Sequence, residues 1–248
     1  MNNIPYSIIL PTEYGNMIVN RNDINQTNTL LKTKRAVDHE KISFAIKVCE
    51  NSPNNSIALD IGANFGTYSL ALAKTLGNKN GKVYSFEAQR IIYYMLCGSV
   101  SLNSIENCMV LNTCVGNSNE AIDIPNFDYS QQLNFGSIEF GTSHQSEQLS
   151  QQRRQAVEKI SQIKIDDLHL SNLVYAKVDV EGMELDVLNG AIETIRTNLP
   201  IFQIEILKSS VTTITNFMSH FGYKFYQWDG DLICIPPHLI NVYNFDQI

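Results

Sequence analysis

Two acidic strand ends, each followed by a glycine turn, carry the chemistry of this sequence. In ALDIGANFGTYSL an apolar run ends on Asp60, and Gly62 and Gly66 lie in the turn that opens the next apolar segment. A strand that passes through a small-residue turn into a helix points free backbone N–H groups at a ligand. A phosphate loop is excluded, because no Lys-Ser or Lys-Thr pair follows Gly66. A dinucleotide fingerprint is weakened, because Asn64 stands where a glycine should admit the pyrophosphate. S-Adenosylmethionine has no phosphate and needs a close backbone approach at fewer points. Gly62 and Gly66 would let the backbone pass along its methionine and ribose, with Asp60 reaching the methionine ammonium. The ribose hydroxyls then call for a carboxylate, and VYSFEAQ supplies Glu87, 21 residues after Gly66. A carboxylate accepts both hydroxyl protons, which a neutral side chain does not. NAD sites use an acid there too, so Glu87 points to a nucleoside without choosing between the two.

The second acidic end lies in KVDVEGMELDVLNGA. Strand alternation turns Asp179 and Glu181 to one side, and Gly182 permits a sharp exit into the next helix. Neighbouring carboxylates raise each other's pKa, which suits a general base. Glu205, inside the apolar IFQIEIL, needs a donor, a cation or a proton. It reads either as catalytic or as a structural partner of Lys177 or of a backbone turn. His39 and His144 are outside candidates for the base. No spacing indicates a metal site, and none is expected.

These residues need a scaffold that brings strand ends together. Strand-like Ile57–Ile61, Val83–Phe86, Met109–Leu111, Val174–Val178 and Ile201–Leu207 alternate with helix-like Tyr68–Leu76, Ile91–Leu102 and Glu184–Arg196. That order predicts βαβ units in an α/β fold with a doubly wound, mostly parallel sheet. After a helix at Val211–Phe221, YKFYQW and LICIP flank an Asp-Gly turn and predict a C-terminal antiparallel hairpin. Residues 1–50 read as an N-terminal extension, with a hairpin, a polar connection and a helix from Ala36 to Cys49. Residues 126–163 are Gln/Ser-rich and read as a substrate-loop insertion. With no repeat and no linker, residues 1–248 read as a single domain.

ALDIGANFGTYSL, VYSFEAQ and KVDVEGMELDVLNGA, followed by PIFQIEI, together resemble the FkbM family of S-adenosylmethionine-dependent methyltransferases, from about Gly15 to Leu232. The pairing of DIGANxG with DVEGxE is specific; either alone is weaker. The resemblance implies a class I, Rossmann-like methyltransferase fold and O-methylation of a sugar, glycan or other small natural product. It implies cofactor binding by Asp60, Gly62, Asn64, Gly66 and Glu87, and an active-site edge at Asp179, Glu181 and Glu184. DYSQQLNFGSIEF is similar to a family loop with an NFG core, which makes Asn134 and Gly136 substrate contacts beside Glu184 and Glu205. An NAD-dependent oxidoreductase and a non-catalytic binding protein on this fold are the rival readings.

Composition sets the outer limits. The 248 residues carry a net charge of −7, with 44% hydrophobic and 17% charged residues, which describes a globule with a sizeable core. The negative charge argues against a nucleic-acid partner and leaves a small-molecule or glycan acceptor. Five scattered cysteines without a C-x-x-C pair read as free thiols in a reducing compartment. The N-terminus lacks a basic region before its short apolar run, and no stretch approaches the roughly 18 apolar residues of a membrane span. A cytoplasmic protein is expected.

Overall fold

The computed structural model describes residues 4–136 and 157–243. In chain order its elements are β1 (Ser7–Thr12), β2 (Gly15–Asn20), α1 (Gln26–Thr33), α2 (His39–Glu50), β3 (Ile57–Ile61), α3 (Thr67–Gly77), β4 (Lys82–Phe86), α4 (Arg90–Leu102) and β5 (Cys108–Leu111). Then come the short strands β6 (Cys114–Val115), β7 (Ile122–Pro125), β8 (Val157–Ile160) and β9 (Gln162–Ile163). The chain continues with β10 (Leu173–Val178), α5 (Glu184–Asn189), α6 (Ile192–Asn198), β11 (Ile201–Glu205), α7 (Val211–Ser219), β12 (Lys224–Trp228) and β13 (Asp231–Ile235).

Seven strands form one sheet in the order β12-β13-β11-β10-β3-β4-β5. The pairs from β11 to β5 are parallel, as the alternation of strands and helices predicts. β13 runs antiparallel to both β11 and β12, so the hairpin inserts its second strand into the sheet and leaves its first at the edge. The predicted turn is Asp229-Gly230, both at positive φ, as a two-residue type I′ connection requires. Alternate residues of the parallel strands enter two cores. Ala58, Val83, Tyr175 and Ile201 pack with α2 and α3 on one face. Leu59, Phe86, Ala176 and Phe202 pack with α5, α6 and α7 on the other. Strands buried on both faces explain their nearly continuous apolar sequences.

Register sets a polar row near the carboxyl edge. Ser85 pairs with Asp60, Asp60 with Lys177, and Lys177 with Gln203, so all four side chains share one face. All four residues are buried, and Ser69 of α3 donates to Asp60 while accepting from Ser85 at 2.8 Å. Buried polar groups are tolerable where they satisfy one another in this way.

Three local readings change. The polar connection after β2 contains a helix, α1, which the run of Asn and Thr conceals because those residues favour turns over helix interiors. The helix expected over Glu184–Arg196 is two, because a Cβ at Gly190 would stand 1.9 Å from the Gly116 carbonyl oxygen. Asp166 caps the second piece, accepting from Glu193 N–H at 3.1 Å and Thr194 N–H at 2.7 Å. The described ends of the expected insertion also pack against the rest of the chain: β7 pairs with β8, and Leu133 bridges to Asp23. The five cysteines are free, and no helix among the described residues is long and apolar enough to cross a membrane.

Candidate active site

β3 and β4 end side by side, and the turn after β3 is built on the end of β4. Gly62 and Ala63 N–H groups both donate to the Phe86 carbonyl, at 3.0 and 2.9 Å. Asn64, at φ 49°, then directs its own N–H to Glu87 Oε2 at 2.8 Å, and Gln89 N–H reaches Glu87 Oε1 at 2.7 Å. The Glu87 carboxylate is buried, and burial pushes its pKa up to about 7 against the pull of those two N–H groups. Each oxygen accepts one backbone bond and keeps capacity for another. In front of it opens a cleft walled by Gly62, Asn64, Thr113, Phe135 and Gly136.

A second cleft adjoins the first and shares Gly62, Asn64, Gly136, Asp179 and Glu181 with it. It is acidic: Asp38, Asp60, Glu205, Asp229 and Asp231 also line it. Three lysines offset part of this charge. Lys177 Nζ lies 2.6 Å from Asp179 Oδ2, Lys208 Nζ 2.6 Å from Glu181 Oε2, and Lys41 Nζ 3.1 Å from Asp231 Oδ1. Burial would lower the pKa of Lys177, yet the carboxylates of Asp179, Asp60 and Asp231 outweigh it and hold the ammonium charged. Burial and the adjacent Asp179 push Glu181 up to about 7; burial, Asp179 and Glu181 push Glu205 up to about 9. Oxygens of Asp179, Glu181 and Glu205 lie within 4.8 Å of one another. Where the clefts meet, the buried Asn64 Oδ1 and Asp179 Oδ1 have no hydrogen-bond partner among the described residues. Orphaned acceptors at the junction fit a ligand that brings donors there, as an ammonium or a ribose does.

The Methyltransferase FkbM domain model matches residues 60–225, more than half of the chain and all of the strand ends just described. The chain belongs to the FkbM methyltransferase family. Among solved structures, the FkbM-family chain is similar to a methyltransferase FkbM from Methylobacillus flagellatus KT, at 21% identity and TM-score 0.50. That likeness covers 74% of this chain and 44% of the other, so this chain spans less than half of that protein's length. A precorrin-6y C5,15-methyltransferase from Geobacter metallireducens GS-15 is similar at 10% identity and TM-score 0.45, over 82% and 89% of the two chains. P. horikoshii TYW2 in complex with MeSAdo is similar at 10% identity and TM-score 0.48, over 92% and 70%. No curated protein matches by sequence. The fold is that of class I methyltransferases.

Within the FkbM domain, Asp60, Gly62, Asn64, Glu87, Asn134, Gly136, Asp179, Glu181 and Glu205 all line one cleft or both. Asp179 and Glu181 meet by a different route from strand alternation. β10 ends at Val178, and Glu181 sits at φ 55° in the turn. Glu184 belongs elsewhere: fully buried, it accepts from the Val180 and Gly182 N–H groups and from the Ser209 hydroxyl, and so pins the turn instead of facing a cleft. Gly66 opens α3 at φ 90°, where a Cβ would stand 2.2 Å from Leu96 Cδ1; its role is helix packing. His39 accepts or donates to the Tyr14 hydroxyl at 2.9 Å and lines neither cleft. His144 lies outside the described residues. Sequence reasoning missed Thr113 and Cys114 in the first cleft, and Lys41, Asp229 and Asp231 in the second. The first two follow β5, the next strand in the parallel series, and could have been found by extending the strand-end rule once more.

Proposed function

We propose that the protein transfers the methyl group of S-adenosylmethionine to a hydroxyl oxygen of a sugar, a glycan or another small natural product. One observation carries the reading: a buried carboxylate, Glu87, faces a cleft beside the β3 turn that opens directly into an acidic cleft containing Glu181. When bound, the cofactor supplies an electrophilic methyl group on a sulfonium centre. Glu87, fixed by Asn64 and Gln89 N–H groups, is the acceptor for the ribose hydroxyls. Asp60 and the free Oδ1 of Asp179 are acceptors for the methionine ammonium. Thr113, Cys114 and Val115 form the wall for the base.

Hydroxyl acceptors must lose a proton during transfer, and a base near its pKa at neutral pH does this best. Glu181, at about 7, meets that condition. Asp179 and Glu181 each hold a lysine through one oxygen; the free Oδ1 of Asp179 is assigned to the ammonium, which leaves the Glu181 carboxyl for proton transfer. The acidic lining disfavours phosphate-rich acceptors, since every nucleic-acid backbone charge would meet carboxylates. Neutral polyols fit it, because carboxylates and Asn134 accept hydroxyl protons. The test is S-adenosylhomocysteine release from S-adenosylmethionine with a panel of glycans and hydroxylated metabolites, set beside transfer RNA and ribosomal RNA fragments. Turnover with a hydroxylated small molecule supports the reading; turnover with RNA alone, or none with any acceptor, overturns it.

A further inference from the structure

The turn after the N-terminal hairpin lies outside the FkbM match, yet it reaches the wall between the two clefts. Asp23 is buried and accepts three backbone N–H groups, from Thr27 at 2.8 Å, Asn25 at 3.2 Å and Phe135 at 3.2 Å. Leu133 is fastened to the same turn: its N–H donates to the Asn22 carbonyl and its carbonyl accepts from Ile24, both at 3.2 Å. From the opposite side, Gln89 Nε2 donates to the Phe135 carbonyl at 2.8 Å, and Gln89 Oε1 accepts from the Tyr129 hydroxyl at 3.3 Å. The Phe135 ring is fully buried and stacks on Tyr129, centroids 5.0 Å apart. Phe135 is thus gripped by its N–H, its carbonyl and its ring.

What is gripped is a shared wall. Phe135 and Gly136 line the nucleoside cleft, while Asn134 and Gly136 line the acidic one. Gln89 meets both ends of this arrangement: its main chain holds Glu87, and its side chain holds the wall. A ligand shifts a segment only by contacting its arrangements differently, and a segment lining the ligand's own cleft is placed to make such contacts. From this geometry we infer that Gln89 is a positioning residue that fastens residues 134–136 beside the cofactor, so that cofactor binding sets the shape of the acceptor cleft. The inference rests on the cofactor reading above.

Hydrogen exchange of the full chain, free and saturated with S-adenosylhomocysteine, tests it, with calorimetry establishing saturation. In the wild type, binding should slow exchange at Phe135 and Gly136 by about tenfold or more. Gln89→Met preserves length and burial, keeps the N–H that holds Glu87, and removes both side-chain bonds. Saturated with the same ligand, it should lose that slowing at Phe135 and Gly136 while keeping wild-type exchange at Gly62 and Ala63. Tyr129→Phe, which removes only the weaker bond to Gln89, should retain the slowing. Saturated wild type with no slowing at Phe135 and Gly136 overturns the coupling and leaves the cofactor reading standing. Retained slowing in Gln89→Met also overturns it, as does loss of protection throughout the protein, which would make Gln89 a structural residue only. Failure of the wild type to bind S-adenosylhomocysteine overturns the cofactor reading and the coupling with it.

Discussion

The carbonyl oxygen of Asp179 stands 1.8 Å from the position that a Cβ on Gly62 would take. Asp179 N–H also donates to the Ile61 carbonyl at 2.9 Å, so the exits of β3 and β10 touch backbone to backbone. No side chain separates the turn that faces the nucleoside cleft from the carboxylates of the acidic cleft. The two halves of the site are therefore fixed to each other by main-chain geometry, which sets distances more rigidly than side-chain contacts do. The glycine read from the sequence as room for a ligand is room for a neighbouring strand.

Gly62→Ala should accordingly unsettle the fold before it blocks any ligand. The residue sits at φ 83°, and the added methyl meets a backbone carbonyl that has no free end to swing away. A left-handed non-glycine residue and an overpacked contact cost about 1–3 kcal/mol each. For a chain of this size the melting temperature should fall by about 5 °C or more. Thermal unfolding without ligand checks this; an unchanged midpoint would show that the strands part easily.

Glu87→Gln should weaken S-adenosylhomocysteine binding by about ten- to a hundredfold, the equivalent of roughly 1.5–3 kcal/mol for a charge-assisted hydrogen bond. The substitution also turns an amide N–H₂ toward either the Asn64 or the Gln89 N–H, which both now donate to carboxylate oxygens. A modest loss of thermal stability should accompany the loss of affinity. Calorimetry at matched pH, with wild-type affinity in the variant, would remove Glu87 from the site.

The parallel sheet was legible because its strands are buried on both faces and read as mostly apolar runs, from Ile57–Ile61 to Ile201–Glu205. The strand-end acids were legible for a related reason: Asp60, Glu87 and Asp179 each break such a run at its carboxyl end. Residues brought in by pairing register or distant packing left no such mark. Asp231 faces Glu205 only because β13 inserts beside β11, and Lys41 reaches Asp231 from a helix far away in sequence. Glu184 misled for the opposite reason. The family resemblance placed it at the active-site edge, but the tight turn at Gly182 draws its carboxylate inward to cap the Val180 and Gly182 amides.

Stability should fall as pH rises from about 5.5 to 8.5. Glu87 and Glu181 are pushed up to about 7 and Glu205 to about 9, each chiefly by burial, whereas an unfolded glutamate titrates near 4.3. Across that window the folded chain holds protons that the unfolded chain has released, so raising the pH favours unfolding. Lys177, held above its usual value, stays charged throughout and does not reverse the trend. Around Glu205 the facing groups are Asp179, Glu181, Asp231 and Lys177. Melting temperatures measured at three pH values in one ionic strength check the slope, and a rise with pH would contradict these buried carboxyls.

A chelator should leave turnover within about twofold. Asp179, Glu181 and Glu205 approach closely enough to hold a cation, but Lys177 and Lys208 already sit 2.6 Å from the first two. Two ammonium groups against three carboxylates, one of them pushed up to about 9, leave little uncompensated charge for a divalent ion to neutralise. Extensive dialysis against EDTA, followed by assay with and without magnesium, checks this. Recovery of lost activity by the metal would make the trio a metal site.

Asp179 and Glu181 should separate by role once an acceptor is in hand. Glu181 is buried, sits at the junction of both clefts, and is pushed up to about 7 by burial and the adjacent Asp179, which suits proton exchange near neutral pH. If it is the base, kcat should rise with pH through about 7 in the wild type. Glu181→Gln should flatten that rise and lower kcat by about 10²–10⁴, the usual range for a general base, with S-adenosylhomocysteine affinity within a few fold. Asp179→Asn instead releases Lys177 from its partner, removes an acceptor at the cleft junction and takes away a charge that helps push Glu181 up, so it should weaken cofactor binding and keep the rise of kcat with pH but move it to lower pH. Affinity and pH–rate profiles on both variants are needed, because either measurement alone would confuse a lost base with a disturbed site. A Glu181→Gln enzyme with full turnover and an unchanged profile would move the base to Glu205, the remaining carboxylate within reach of the same oxygens.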